Sequence, residues 1–258
     1  MQGIQHDKRL PQVSNPKTQS FINETWLIEN ELNSLSSNIS NILSIQTQIT
    51  IATSDKNEIS LLKSRDSLIS LTKNLLISTK NKIKSLEVQN LKEVGASSTA
   101  NDFEFRNQRI IHLKEKFIQC LETYKDIENN YMKQQKERLN RQFKIVNPNA
   151  NYDDIAETDR PVFLQSIMNT INQRQNVEDS KRVLEEVNRR HDDIKQIERT
   201  IVELVELFEE MKLQVELQDY IIVKIANEVE MVENDAKDAT VELKHAENII
   251  EQLTERKV

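Results

Sequence analysis

Two glycines, four prolines and one cysteine in 258 residues leave this chain with little of what tight turns, β-bulges and disulfides are made from. A chain so poor in turn residues, with 30% charged side chains, is expected to be helical. With Cys120 alone, no internal disulfide can form; no secretory leader follows Met1, so a reducing cytosolic setting is expected, where the sequons at Asn23 and Asn38 carry no weight. Gly3 and Gly95 are too few and too far apart for a phosphate-cradling loop. His6, His112, His191 and His245 are scattered, with only weak carboxylates at helical spacing, so no metal site is expected. Nothing in the chain forms a catalytic constellation: the reading is all-α, non-enzymatic, without cofactor or metal.

What the sequence does have is periodicity. Pro11, Pro16, Pro148 and Pro161 bound two proline-free blocks, 17 to 147 and 162 to 258. In the second block, sixteen positions spaced alternately three and four apart run Ile194, Ile197, Ile201, Leu204, Phe208, Met211, Val215, Gln218, Ile222, Ile225, Val229, Val232, Ala236, Ala239, Leu243 and Ala246. All are apolar except Gln218. This is the a/d seam of a coiled coil in unbroken register. At about 1.5 Å per residue the helix would be roughly 80 Å long, too long to bury its seam in a compact domain of its own, so it needs partner helices. A polar side chain at a seam position costs stability and fixes register, because misaligned arrangements leave its amide unpaired. At this point Gln218 is open to two readings, an alignment device or a chance interruption in a generic coiled coil.

The first block divides into three periodic stretches. Ile28, Leu32, Leu35, Ile39, Ile42 and Ile49 keep a four-three beat, with Gln46 filling one slot, and Thr53-Ser54-Asp55 offers a stop and a new cap. Leu62, Ile69, Leu76 and Ile83 then recur at sevens beside Leu61, Leu68 and Leu75, until the small and polar segment Gly95 to Asp102 breaks the pattern. Ile110, Leu113, Phe117, Cys120, Tyr124, Ile127 and Tyr131 share one face of the third stretch, where Cys120 reads as a small buried hydrophobe. Three such helices with short connections suggest an up-down-up antiparallel bundle.

Residues 190 to 232, RHDDIKQIERTIVELVELFEEMKLQVELQDYIIVKIANEVEMV, resemble the SNARE motif of the syntaxin family. The likeness is carried by Arg190-His191, Ile194, Ile197-Glu198, Ile201, Glu203-Leu204, Phe208, Met211, Val215, Gln218, Ile222, Ile225 and Val229 at ungapped spacing. The third stretch of the first block resembles the last helix of the syntaxin Habc domain through Arg106, Leu113, Lys116-Phe117, Tyr124, Tyr131, Lys136, Arg138, Arg141-Gln142 and Ile145. The phrase FKIVNPNANYDDI is most similar to fungal plasma-membrane syntaxins of the Sso group. The resemblance implies a flexible tail over 1–16, a Habc bundle over 17–147, a linker and the start of a long helix over 148–186, and a SNARE coiled coil over 187–258. It places Gln218 on the zero layer of a four-helix bundle, and the other fifteen seam residues on the layers to either side.

A Qa-SNARE so placed implies partners. These are two Q helices of the synaptosomal-associated type, a synaptobrevin-like R helix supplying an arginine, a Sec/Munc-type regulator, and the SNAP adaptor with the NSF ATPase for disassembly. It also implies a target membrane, expected to be the plasma membrane seen from its cytosolic face, reached through a carboxyl-terminal anchor that this sequence does not contain. The chain is therefore expected to be a cytosolic fragment, with the juxtamembrane basic stretch reduced to Arg256-Lys257. His6 to Leu10 faintly echo a regulator-binding peptide, beside the plainer reading of an unstructured tail. An exposed seam of this length also calls for an intramolecular cover, with the linker from Pro148 to about Leu164 as hinge.

Charge supports a regulated assembly over nucleic-acid binding. Residues 190 to 258 hold eighteen acidic and nine basic side chains against a net of −7 for the whole, which leaves the rest near plus two. Asp192-Asp193 and Glu209-Glu210 are expected on solvated helix faces, as is the basic run Lys133 to Lys144, with a lipid contact as the alternative for that run. Two alternatives stay open: a tethering or scaffold coiled coil that self-associates, and a syntaxin of an endosomal or Golgi step.

Overall fold

A computed structural model of the protein describes residues 16–52, 54–93, 100–146 and 177–255, with side chains described for all of these except 16–17, 55, 93, 100–101, 142–146, 177–184, 218–236 and 245–255. Four helices account for nearly all of them: α1 (Pro16–Ile51), α2 (Asp55–Glu93), α3 (Ala100–Val146) and α4 (Val177–Glu255). Among the described residues there is no strand. The chain is all-α.

Local chemistry sets the helix ends. Pro16 opens α1 at a position where the absent N–H costs nothing and the fixed φ suits the first turn. Ser54 precedes α2, and its carbonyl takes the first helical bond from the Glu58 N–H at 3.0 Å, as the sequence cue at Thr53-Ser54-Asp55 suggests. The start of α3 at Ala100 moves the expected break: Asp102 is already helical, where its carboxylate faces the positive end of the helix. The tail before Pro16 and the expected linker and hinge, from Pro148 through Phe163 and Leu164, lie outside the described residues.

The helices pack in two compact units, each holding a segment of all four. Among the described residues, one unit comprises those up to Leu32, those from Leu76 to Lys116 and those from Met211 onward. Its core is Phe21, Ile28, Leu32, Leu76, Ile83, Leu86, Phe103, Ile110, Leu113 and Met211, all buried. Polar groups are buried among them with partners. Arg106 donates to Thr18 Oγ1 at 2.9 Å while its guanidinium lies 5.5 Å from the Phe21 ring centre. Lys114, fully buried, pairs with Glu87 at 2.7 Å and donates to the Gln214 carbonyl of α4 at 3.3 Å.

The second unit comprises the described residues of Asn33–Leu75 and Phe117–Glu210. Leu35, Ile39, Ile42 and Ile49 of α1, Ile69 of α2, Phe117, Cys120, Leu121, Tyr124, Tyr131 and Leu139 of α3, and Val187, Ile194, Ile197 and Leu204 of α4 are buried. Each such side chain stabilises by about 1.5–3 kcal/mol on burial. Contacts give the helix directions. Ser36 meets Cys120 and Gln46 meets Glu128, so α1 and α3 are parallel. Glu58, Arg65 and Lys73 of α2 meet Arg190, Asp193 and Glu203 of α4, so these two are parallel to each other. Tyr131 and Gln135 of α3 meet Asp193 and Arg190 in descending order, so α4 runs antiparallel to α3.

Candidate assembly surface on the fourth helix

The seam of α4 splits by environment along its length. Ile194, Ile197, Leu204 and Met211 are buried, and Ile201, Phe208 and Val215 are half-buried. Ile197 packs with Ile49 and Tyr131 in a cluster that takes in Ile45, Leu61, Leu62, Met132 and Ile201. Lys125 lies 5.2 Å from the centre of the Phe208 ring, a cation–π contact that shields the aromatic face. Farther on, Ala239 and Leu243 are exposed. The side chains of Gln218, Ile222, Ile225, Val229, Val232, Ala236 and Ala246 lie outside the described residues. Of the face expected on α3, Ile110, Leu113, Phe117, Cys120, Tyr124 and Tyr131 are buried and Ile127 is half-buried.

Ionic groups are interleaved with this apolar packing in the second unit. The Arg65 guanidinium, 1% exposed, bonds Asp193, donates to the Tyr131 hydroxyl at 3.2 Å and bridges to Asp66 at 2.8 Å. Burial works most strongly against its charge, but Asp193, Tyr131 and Asp66 together outweigh that, and Arg65 is held ionised more firmly than an ordinary arginine. The Tyr131 hydroxyl is pushed up by burial and by Asp193, so it stays protonated and can donate to Asp193 at 3.4 Å. One turn away on α4, Arg190 reaches Glu58 at 3.3 Å, Gln135 at 3.2 Å and Glu186 at 2.6 Å.

On the α1 side, Gln46 donates to Glu128 at 3.1 Å. Burial pushes the Glu128 carboxyl up to about 7 despite the opposing pull of Arg65. Tyr124, beside it, is likewise raised by burial and by the Glu128 charge.

These pairs correct one expectation and reveal a pattern the apolar reading missed. Asp193 is not on a solvated face; it is buried against Arg65, while its neighbour Asp192 is exposed. The basic run is only partly solvated. Lys136 pairs with Glu198 at 3.3 Å and Arg138 donates to the Ile49 carbonyl at 3.4 Å, while Lys133 and Arg141 are exposed. Most of the missed buried polar residues on these two helices recur at sevens: Glu58, Arg65, Thr72 and Thr79 on α2, and Asn107, Lys114, Glu128 and Gln135 on α3, with Leu121 in the remaining slot. That spacing was the available signal.

Among the described residues no group of His, Cys, Asp and Glu could hold a metal ion, and no helix is long and apolar enough to cross a membrane.

Comparison with known proteins gives the arrangement a family. The SNARE domain model matches residues 185–257, and the syntaxin model matches residues 15–166, more than half of the chain. The chain belongs to the syntaxin family. Its relatives include the syntaxin-like protein psy1 of Schizosaccharomyces pombe, 28% identical over 231 residues covering 88% of this chain and 78% of psy1. Protein SSO1 of Saccharomyces cerevisiae is 23% identical over 228 residues, covering 86% and 71%. These fungal syntaxins agree with the placement suggested by FKIVNPNANYDDI. A crystal structure of the Unc18–syntaxin 1 complex from Monosiga brevicollis contains a chain of the same fold, with a TM-score of 0.61 and 22% identity over 82% of this chain and 89% of that one. The syntaxin architecture, a Habc bundle followed by a SNARE helix, is thereby the architecture of this chain.

Proposed function

We propose that the chain is a Qa-SNARE whose α4 zippers with two further Q helices and one R helix to drive vesicle fusion, with α1–α3 governing when it does so. One observation carries this: an unbroken a/d seam from Ile194 to Ala246, polar only at Gln218, lies within the SNARE match, and its first layers are covered inside the chain. The domain limits are those implied by the resemblance: tail 1–16, Habc 17–147, linker and helix start 148–186, SNARE motif 187–258.

The mechanism is assembly without covalent chemistry. Zippering from the layer of Ile194 toward that of Ala246 buries apolar area at about 25 cal/mol per Å², and partner helices anchored in an opposing membrane convert that free energy into apposition of bilayers. Gln218 joins two glutamines and the arginine of a synaptobrevin-like helix; amide oxygens satisfy the guanidinium donors, and any other alignment buries them unpaired. The fungal relatives support an exocytic step at the plasma membrane. The Unc18 partner in the related complex supports a Sec/Munc-type regulator, and the acidic α4 surface suits the SNAP adaptor that recruits NSF.

Mixing the purified chain with a two-helix Q-SNARE of the synaptosomal-associated type and a synaptobrevin-like helix tests the proposal. A detergent-resistant heteromer is expected, with register and disassembly altered by Gln218→Leu. A stable homo-oligomer of this chain indifferent to both partners indicates a self-associating tether instead.

A further inference from the structure

The apolar seam that docks α4 in the second unit repeats every seven residues, so apolar packing alone leaves its alignment ambiguous. If α4 slides by one heptad, Ile201 and Leu204 take the places of Ile194 and Ile197, and the seam is apolar again. The full set of buried charges does not repeat. After that slide Glu58 faces Ile197 and Arg65 faces Thr200, so the Glu58 carboxylate is buried without Arg190 and the Arg65 guanidinium keeps only Asp66 of its own helix. Sliding the other way brings Glu186 to Arg65, but sets Glu58 against Val183 and puts the charge of Arg190 where Ile197 packs with Ile49 and Tyr131. In the observed alignment every one of these charges is answered. Glu58 meets Arg190 at 3.3 Å, Arg65 bonds Asp193, Tyr131 and Gln135 of α3 add hydrogen bonds, and Gln196 reaches Asp66 at 3.5 Å. The charge order is opposite on the two helices, acid then base on α2 and base then acid on α4.

We infer that Glu58 and Arg65, paired with Arg190 and Asp193, are the positioning residues that select one register for α4 on α1–α3 in the free chain. They play inside the single chain the part that a polar layer plays in an intermolecular coiled coil, but through four charges, two turns apart on α2 and one turn apart on α4. Gln46 with Glu128 extends the polar stratum to α1 at 3.1 Å, so all four helices of the unit contribute to it. The inference rests on the proposed function only in naming α4 as the helix that later leaves; the alignment itself is a property of the chain without partners.

Removing the charges while keeping the volume separates alignment from cohesion, because well-packed apolar residues can replace a buried ion pair without loss of stability. In a Cys120→Ser background, spin labels at Ser67→Cys on α2 and Arg199→Cys on α4, both exposed positions, report the offset between the helices. The full chain is expected to give one narrow distance. With Glu58→Leu, Arg65→Met, Arg190→Met and Asp193→Leu together, α4 should remain docked but populate a second distance, from a displacement of about 10 Å along the axis, one heptad of rise. Arg65→Asp alone should broaden the distance, and Arg65→Asp with Asp193→Arg should restore it, with circular dichroism verifying helicity throughout. A single unshifted distance in the four-fold variant overturns the inference. So does complete undocking there, which would make the charges a source of cohesion. A null result here leaves assembly with partner helices untouched.

Discussion

Ile194 and Leu243 are separated by seven heptads and occupy the same seam position of one continuous helix, yet Ile194 is 1% exposed and Leu243 is 71% exposed. Nothing intrinsic to the repeat distinguishes them. The difference is what covers each: the layers near Ile194 pack against Ile49, Tyr131 and their neighbours and are pinned by Arg65–Asp193 and Glu58–Arg190, whereas Leu243 has no such cover. A heptad seam thus records the capacity for partners, and the occupant is decided elsewhere in the sequence. In the proposed function this asymmetry falls at a useful place. The layers from which zippering starts are the ones withheld, so assembly is gated at its first step.

The sharpest break in the comparison should come from one buried charge. Arg65→Ala leaves Asp193 buried without its cation, and chemical denaturation should show a loss of about 3–5 kcal/mol. Next, Ile197→Ala should cost about 2–5 kcal/mol and raise hydrogen exchange along residues 190–210, whereas Leu243→Ala should stay within about 0.5 kcal/mol of the parent. Equal costs at the two positions would erase the contrast.

Acidity probes the same stratum more gently. Glu128 is held near 7 in the folded chain, above its value of 4.5 when unfolded, because burial penalises its charge ahead of the relief from Arg65 and Gln46. The folded state therefore binds the extra proton. Stability should rise as pH falls from about 7 toward 4.5, by up to about 1.4 kcal/mol per pH unit, and the penalty should be fully present above 7. Glu128→Gln should flatten that rise in denaturation curves recorded across the range. Smallest of all, Lys73→Ala should change stability by less than about 1 kcal/mol, since its pair with Glu203 is solvent-exposed on both sides and screened by salt.

How far the sequence could be read follows from the same physics. The apolar faces of α1–α3 and the seam of α4 are visible because burial demands a period that polar surfaces do not imitate; Ile28, Leu35, Ile42, Leu76, Ile110 and Phe117 are all buried where that period places them. Arg65, Lys114, Glu128 and Asp193 are harder, because a charged side chain at a heptad position is ordinarily solvated and is buried only where another element brings its counter-charge. For Arg65 that element is Asp193, 128 residues later in the chain. Gln46 shows the same limit: it could be recognised as a polar slot in an apolar row, but its partner Glu128 lies on a helix whose alignment with α1 no local pattern specifies.

The central claim is that α1–α3 withhold the first layers of a helix whose purpose is intermolecular assembly. It is tested most directly by the rate at which the full chain enters a detergent-resistant complex with its two Q helices and its R helix, before and after Arg65→Ala. That substitution lies on α2 and leaves every residue of α4 intact. The account predicts assembly faster by about tenfold or more in the variant, as expected when several kcal/mol of docking are removed. Equal rates for the two chains, with the complex forming in both, would contradict it.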